Sequence, residues 1–212
     1  MYAWKTMTAA QREDALRERQ LRGMPFHSPP HYGSDVPCLY HLTAACYQHQ
    51  PIIGHSPARM ATFEAELLRA LVITSTDQLP GDEMTDKVLF WCLLPNHWHA
   101  LIRTRQLPVV IKRIGRLHGR VSYAWNGEEN TRGRTCWHRC TDRRMRNENH
   151  VYATVNYILN NPVHHGYTSR WQDWPYSNAS AYLDAIGPDE AAKRWRAYPI
   201  LEYGKGWDDA EL

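Results

Sequence analysis

A chain of 212 residues is long enough for one globular domain with tails at both ends and short for two. Its 43% hydrophobic and 22% charged residues exclude wholesale disorder and fibrous repeats. A net charge of +3 is too weak a field to argue for a polyanionic partner, so that argument falls to where the cations lie along the chain.

Residues 1 to about 24 contain a polar, charge-alternating helix, TAAQREDALRERQLRGM, and the breaker-rich PFHSPPHYGSDVP that follows reads as a laid-down arm. The expected division is an arm over 1–36, a folded domain over 37–185 and a polar, aromatic tail over 186–212. Leu39 to Gln48 is rich in β-branched, aromatic and small residues and predicts a buried strand. ARMATFEAELLRALVIT places Met60, Phe63, Leu67, Leu68 and Leu71 at helical spacing. KVLFWCLLP predicts a second strand, and PNHWHALIRT continues into a third. Val109 to Trp125 predicts a helix carrying Lys112, Arg113, Arg116, His118 and Arg120, followed by the loop GEENTRGRT. An arginine-dense stretch, CWHRCTDRRMRNENH, leads into NHVYATVNYILNNP, read as a helix stopped by Pro162.

Five cysteines without a CxxC pair argue against a disulfide framework or a structural zinc module and suit a reducing cytoplasm. Cys136, His138 and Cys140 lack a fourth ligand, so local packing is expected of them. No run approaches the roughly 18 apolar residues of a membrane span, and the first residues lack a signal-peptide core. A soluble, unexported protein with no membrane partner is the expectation.

The chemistry concentrates in two segments. In a strand, His97 and His99 point to one face and Trp98 to the other, so two imidazoles can hold a divalent cation together. Histidines at strand edges also pack or satisfy carbonyls, so the pair needs a third partner. Tyr157 and Asn161, four apart, share one face over a helical turn. Asn161 can add an oxygen ligand, giving the mixed N/O set that suits Mg2+ or Mn2+. Tyr157 would stand beside it as nucleophile, with cation assistance because a phenol has a pKa of about 10. On residues alone, a core tyrosine at a helix end is the commoner explanation of such a position. Tyr123, after the basic helix, is a rival nucleophile.

The stretches LLPNHWHALIRT, WHRCTDRRMRNENH and NYILNNPVHHGY, with the follower WQDWPYS, resemble the successive signatures of the REP-associated tyrosine transposases, a branch of the HUH single-strand nucleases. The resemblance runs with gaps from Leu39 to Tyr182. It implies an α+β fold: a ferredoxin-like central antiparallel sheet with helices on one face and the tyrosine helix reaching the metal. It also implies that His97 and His99 are the metal-binding pair, with Asn161 a further ligand. Tyr157 would be the nucleophile that becomes joined to the 5′ phosphate, leaving a 3′ hydroxyl. The implied partners are single-stranded hairpins folded from REP-like palindromes, with a short flanking tetranucleotide. The implied setting is the nucleoid, and the protein would act as a monomer or homodimer. Arg139, Arg143, Arg144 and Arg146, with Lys112, Arg113, Arg116 and Arg120, are the candidate backbone binders. A non-cleaving hairpin-binding protein and a metal-dependent hydrolase of the HxH type are the alternatives; the latter normally needs more ligands in a larger barrel.

Overall fold

The computed structural model describes residues 36–72 and 87–200 continuously, with scattered positions before them. The N-terminal arm therefore falls largely outside the described residues, as do residues 201–212.

Strand β1 (Cys38–Ala45) leads through short 3-10 turns to helix α1 (Pro57–Leu71). Ser56 begins α1 by accepting the Arg59 N–H at 3.1 Å, and Pro57 occupies the first turn, where no N–H is needed. The helix buries Met60, Phe63, Leu67, Ala70 and Leu71, while Leu68 sits half-buried beside the stripe. Strands β2 (Lys87–Leu93) and β3 (His97–Thr104) form a hairpin over a tight turn, closed by Leu94 N–H donating to the His97 carbonyl at 2.8 Å. Helix α2 (Leu107–Glu128) extends past both ends of the expected span, with Pro108 in its first turn. Its stripe of Leu107, Val110, Ile114, Leu117, Val121 and Trp125 is buried.

The arginine-dense stretch contains a strand that the sequence reading did not anticipate. Thr141–Arg144 forms β4, an edge strand paired only with β1. Four residues reading TDRR carry no alternating apolar pattern, and a short charged edge resists pairing with other chains. The sheet order β2-β3-β1-β4, antiparallel throughout, is that of a ferredoxin-like βαββαβ unit.

Helix α3 (Glu148–His164) starts where Asn147 accepts the His150 N–H at 2.8 Å. It does not stop at Pro162, as expected, but runs through it for a short final stretch. Pro162 removes one helical hydrogen bond only. The end is closed instead by His165 N–H to Asn161 O at 3.0 Å and Tyr167 N–H to Pro162 O at 2.8 Å, with Gly166 at φ 72 supplying the left-handed residue. Two further helices follow: α4 (Ala179–Ile186) and α5 (Pro188–Ala197). The latter lies within the stretch read as a tail, and Asn156 on α3 donates to the Tyr198 carbonyl just beyond it at 2.8 Å. The segment before α4 covers the β2 edge, with Leu93 N–H donating to Tyr176 O and Trp174 Nε1 to Leu93 O. That contact gives WQDWPYS a structural role.

Strand alternation sorts the sheet into two faces. Tyr40, Leu42, Ala44, Trp98, Ala100 and Ile102 join the main core beneath α1 and α2, the pair expected on one face. His41, His97, His99 and Leu101 point the other way, where α3 packs. No helix among the described residues is long and apolar enough to cross a membrane.

Candidate active site

The second face gathers the residues singled out from the sequence. His97 and His99 are 1% and 0% exposed, and their ring centroids lie 5.0 Å apart. Trp98 between them points into the main core, where its Nε1 donates to His118 Nε2 at 3.3 Å. From α3, the Tyr157 ring stands 5.1 Å from the His99 ring in an edge contact. Asn161 brings its Oδ1 to 2.8 Å from His97 Nε2. Helical spacing of four therefore delivers the phenol to one imidazole and the amide to the other, although about 60 residues separate the two segments in sequence. The cluster is a real spatial unit.

Sequence reading missed four of its neighbours. His41 on β1, 2% exposed, places Nε2 3.2 Å from His99 Nδ1 and its ring 6.0 Å from that of Tyr157. Asn96 holds Oδ1 2.8 Å from His97 Nδ1. His165, one turn beyond Asn161, packs its ring edge-on 4.9 Å from that of His97, and His49 lies 6.3 Å away. Two of these were signalled. His41 falls on the polar-facing parity of β1 with Thr43, and His165 continues the series Tyr157, Asn161 at spacing four.

Among the described residues, no group of three or more His, Cys, Asp or Glu side chains is arranged to hold a metal. A cation here would draw on two imidazoles and an amide oxygen. The 2.8 Å between His97 Nε2 and Asn161 Oδ1 fits that use, since adjacent ligands about 2.1 Å from an octahedral ion lie about 3 Å from each other. The set is mixed, with imidazole nitrogens of the kind that suit Zn2+ or Fe2+ and an amide oxygen of the kind that suits Mg2+ or Mn2+. Cys92, opposite His99 in the ladder, is fully buried, and that burial pushes its thiol well above the ordinary range.

The candidate cations divide. Arg143 pairs across the ladder with His41, so it shares the imidazole face, whereas Arg144 pairs with Tyr40 and takes the other. Arg139 and Arg146 are exposed on either side of β4. The ring of His150 sits among them: burial lowers its pKa, and the charges of Arg143 and Arg146 lower it further. Lys112, Arg113, Arg116 and Arg120 lie on α2, across the sheet from the imidazoles. Arg113 caps α1 there, donating to Val72 O at 2.6 Å and Arg69 O at 2.9 Å, and Arg120 meets Glu66 at 3.2 Å. Tyr123, the rival nucleophile, is also on α2, 73% exposed beneath Arg132 and separated from the histidines by the sheet. Cys136 and Cys140 are buried, and His138 Nε2 accepts from Gln48 N–H at 3.1 Å, so this triplet packs as expected.

No family model matches the chain, and no curated protein matches it by sequence. Among solved structures, it is similar to a REP-associated tyrosine transposase bound to a REP hairpin. That likeness has a TM-score of 0.51 at 16% identity and covers 73% of this chain and 82% of the other. The two share a fold.

Proposed function

We propose that this protein is a metal-dependent single-strand DNA endonuclease and strand transferase of the REP-associated tyrosine transposase kind, acting on REP-like hairpins. The observation that carries this reading is the convergence of Tyr157 and Asn161 from α3 on His97 and His99 from β3. The shared fold with a hairpin-bound transposase supports the same substrate class.

In the proposed reaction, Tyr157 Oη attacks the scissile phosphorus and a new O–P bond forms as the bond to the 3′ oxygen breaks. The phenolic proton is lost, and the departing 3′ oxygen gains one. The 5′ phosphate stays on the protein as a phosphotyrosine diester, so a 3′ hydroxyl can later reverse the step without a nucleotide cofactor. A bound Mg2+ or Mn2+, held by His97, His99 and Asn161, would polarise the phosphate and offset developing charge. Arg143, on the same face, and the exposed Arg139 and Arg146 beside it are placed to bind the DNA backbone.

The test incubates a labelled single-stranded hairpin with protein and Mn2+ and resolves the products on a denaturing gel. Wild type should give a slower, denaturant-resistant species that Tyr157→Phe abolishes and Tyr123→Phe preserves. An adduct that survives Tyr157→Phe would overturn the assignment. Multiple turnover without an adduct would point to the hydrolase, and hairpin binding without any cut to the non-cleaving protein.

A further inference from the structure

We infer that Asn96 is a positioning residue that fixes the tautomer of His97 and so aims its Nε2 lone pair into the site. The inference rests on His97 being a cation ligand, as proposed above, and adds the residue that makes it one.

The argument starts from backbone. The Pro95-Asn96 turn between β2 and β3 is clamped on both sides: Gly54 N–H donates to Pro95 O at 2.9 Å, and Cys46 N–H to Asn96 O at 2.7 Å. Gly54 approaches so closely that any Cβ there would collide with the Pro95 ring. The Asn96 side chain therefore projects from a fixed frame.

Its amide then has one sensible orientation. Nδ2 lies 3.1 Å from the His49 carbonyl, which can only accept, so the other end of the amide, Oδ1, faces His97 Nδ1 at 2.8 Å. An amide oxygen also only accepts, so Nδ1 must carry the proton. In a neutral imidazole the lone pair then resides on Nε2. That atom faces the Asn161 amide at 2.8 Å, within side chains that are both 1% exposed. With Oδ1 toward Nε2, the amide and the imidazole present two lone pairs that a positive centre would bridge. The bonds from the His49 carbonyl through Asn96 thus aim the Nε2 lone pair at the Asn161 amide, where a cation shared with its oxygen would sit. Metal-bound histidines commonly gain their orientation through such an outer acceptor.

Two measurements test this. Long-range proton–nitrogen correlation spectra of the metal-free protein, labelled in its imidazoles, should show His97 as the Nδ1–H tautomer. Mn2+ titrations followed by electron paramagnetic resonance should show binding weakened about 10–100-fold in Asn96→Leu and Asn96→Ala, the range typical of outer-shell losses. Asn96→Asp, which keeps an acceptor against Nδ1 but loses the donor to the His49 carbonyl, should bind Mn2+ more tightly than Asn96→Leu. An Nε2–H tautomer in wild type would overturn the inference without needing any variant. Wild-type affinity in folded Asn96→Leu, alongside lost affinity in His97→Ala, would overturn it while leaving His97 a ligand. No Mn2+ binding by wild type would instead defeat the metal reading itself.

Discussion

The two faces of one sheet show how differently the same strands can be used. Beneath α1 and α2, β1 and β3 contribute Leu42, Trp98, Ala100 and Ile102 to an apolar core, and an imidazole buried there, that of His118, stacks on Trp137 with centroids 3.9 Å apart. Burial pushes His118 down to about 3, so it is a neutral packing group. On the other face, the alternate residues of those strands supply imidazoles, which meet an amide and a phenol from α3. A histidine deep in a protein is thus not a site by itself. What separates the two environments is whether neighbouring groups also offer lone pairs.

Adjacent residues break this comparison most sharply. His99→Ala should cut adduct formation by more than about 100-fold, beyond the usual outer-shell loss, with a smaller stability loss than removal of the adjacent indole. Trp98→Ala, one residue away, should lower stability by about 3–5 kcal/mol through the cavity it leaves, as read in urea titrations. A cleavage-competent His99→Ala, or an unshifted midpoint for Trp98→Ala, would show that the faces do not divide the work this way.

The next largest effect is in acid. His118 has its folded pKa, about 3, below its unfolded value of 6.5, so the unfolded chain takes up the proton first. Its share of stability is present above pH 6.5 and is lost as pH falls from there toward about 3. Glu129 adds to the loss at lower pH: Arg134 and Arg59 hold its carboxyl down to about 2, and its contribution disappears as pH falls from 4.5. Urea midpoints between pH 7 and 5 should therefore fall in wild type and flatten in His118→Leu. A His118→Leu curve parallel to wild type would show that His118 is not the source of the acid sensitivity.

The smallest effect concerns DNA contact. Arg143→Ala should reduce the salt slope of hairpin binding by about 1, whereas Arg116→Ala, across the sheet, should leave it unchanged. Equal slopes would mean that DNA reaches both faces.

Much of this arrangement was legible because it is periodic. Period two in HWHALIRT separates Trp98 from the histidines, and period four joins Tyr157 to Asn161, so both halves of the cluster follow from local geometry. What local pattern lacks is the meeting of segments. β4 escaped notice because TDRR pairs on one side only and buries little. His41 and Asn96 are placed by contacts 58 and 47 residues away, which spacing does not encode. The cations of α2 illustrate the same gap: Lys112, Arg116 and Arg120 visibly line the polar side of an amphipathic helix, but which sheet face that helix covers is a property of the crossover.

The clamped hairpin turn has a consequence for how this chain can change. Losing or gaining one residue between Leu94 and His97 would exchange parity along β3, sending both imidazoles into the oily layer and the indole of Trp98 among the would-be ligands. Folding and chemistry would then fail in a single event. This segment is thus closed to changes of length, and at Asn96 to a change of side chain as well.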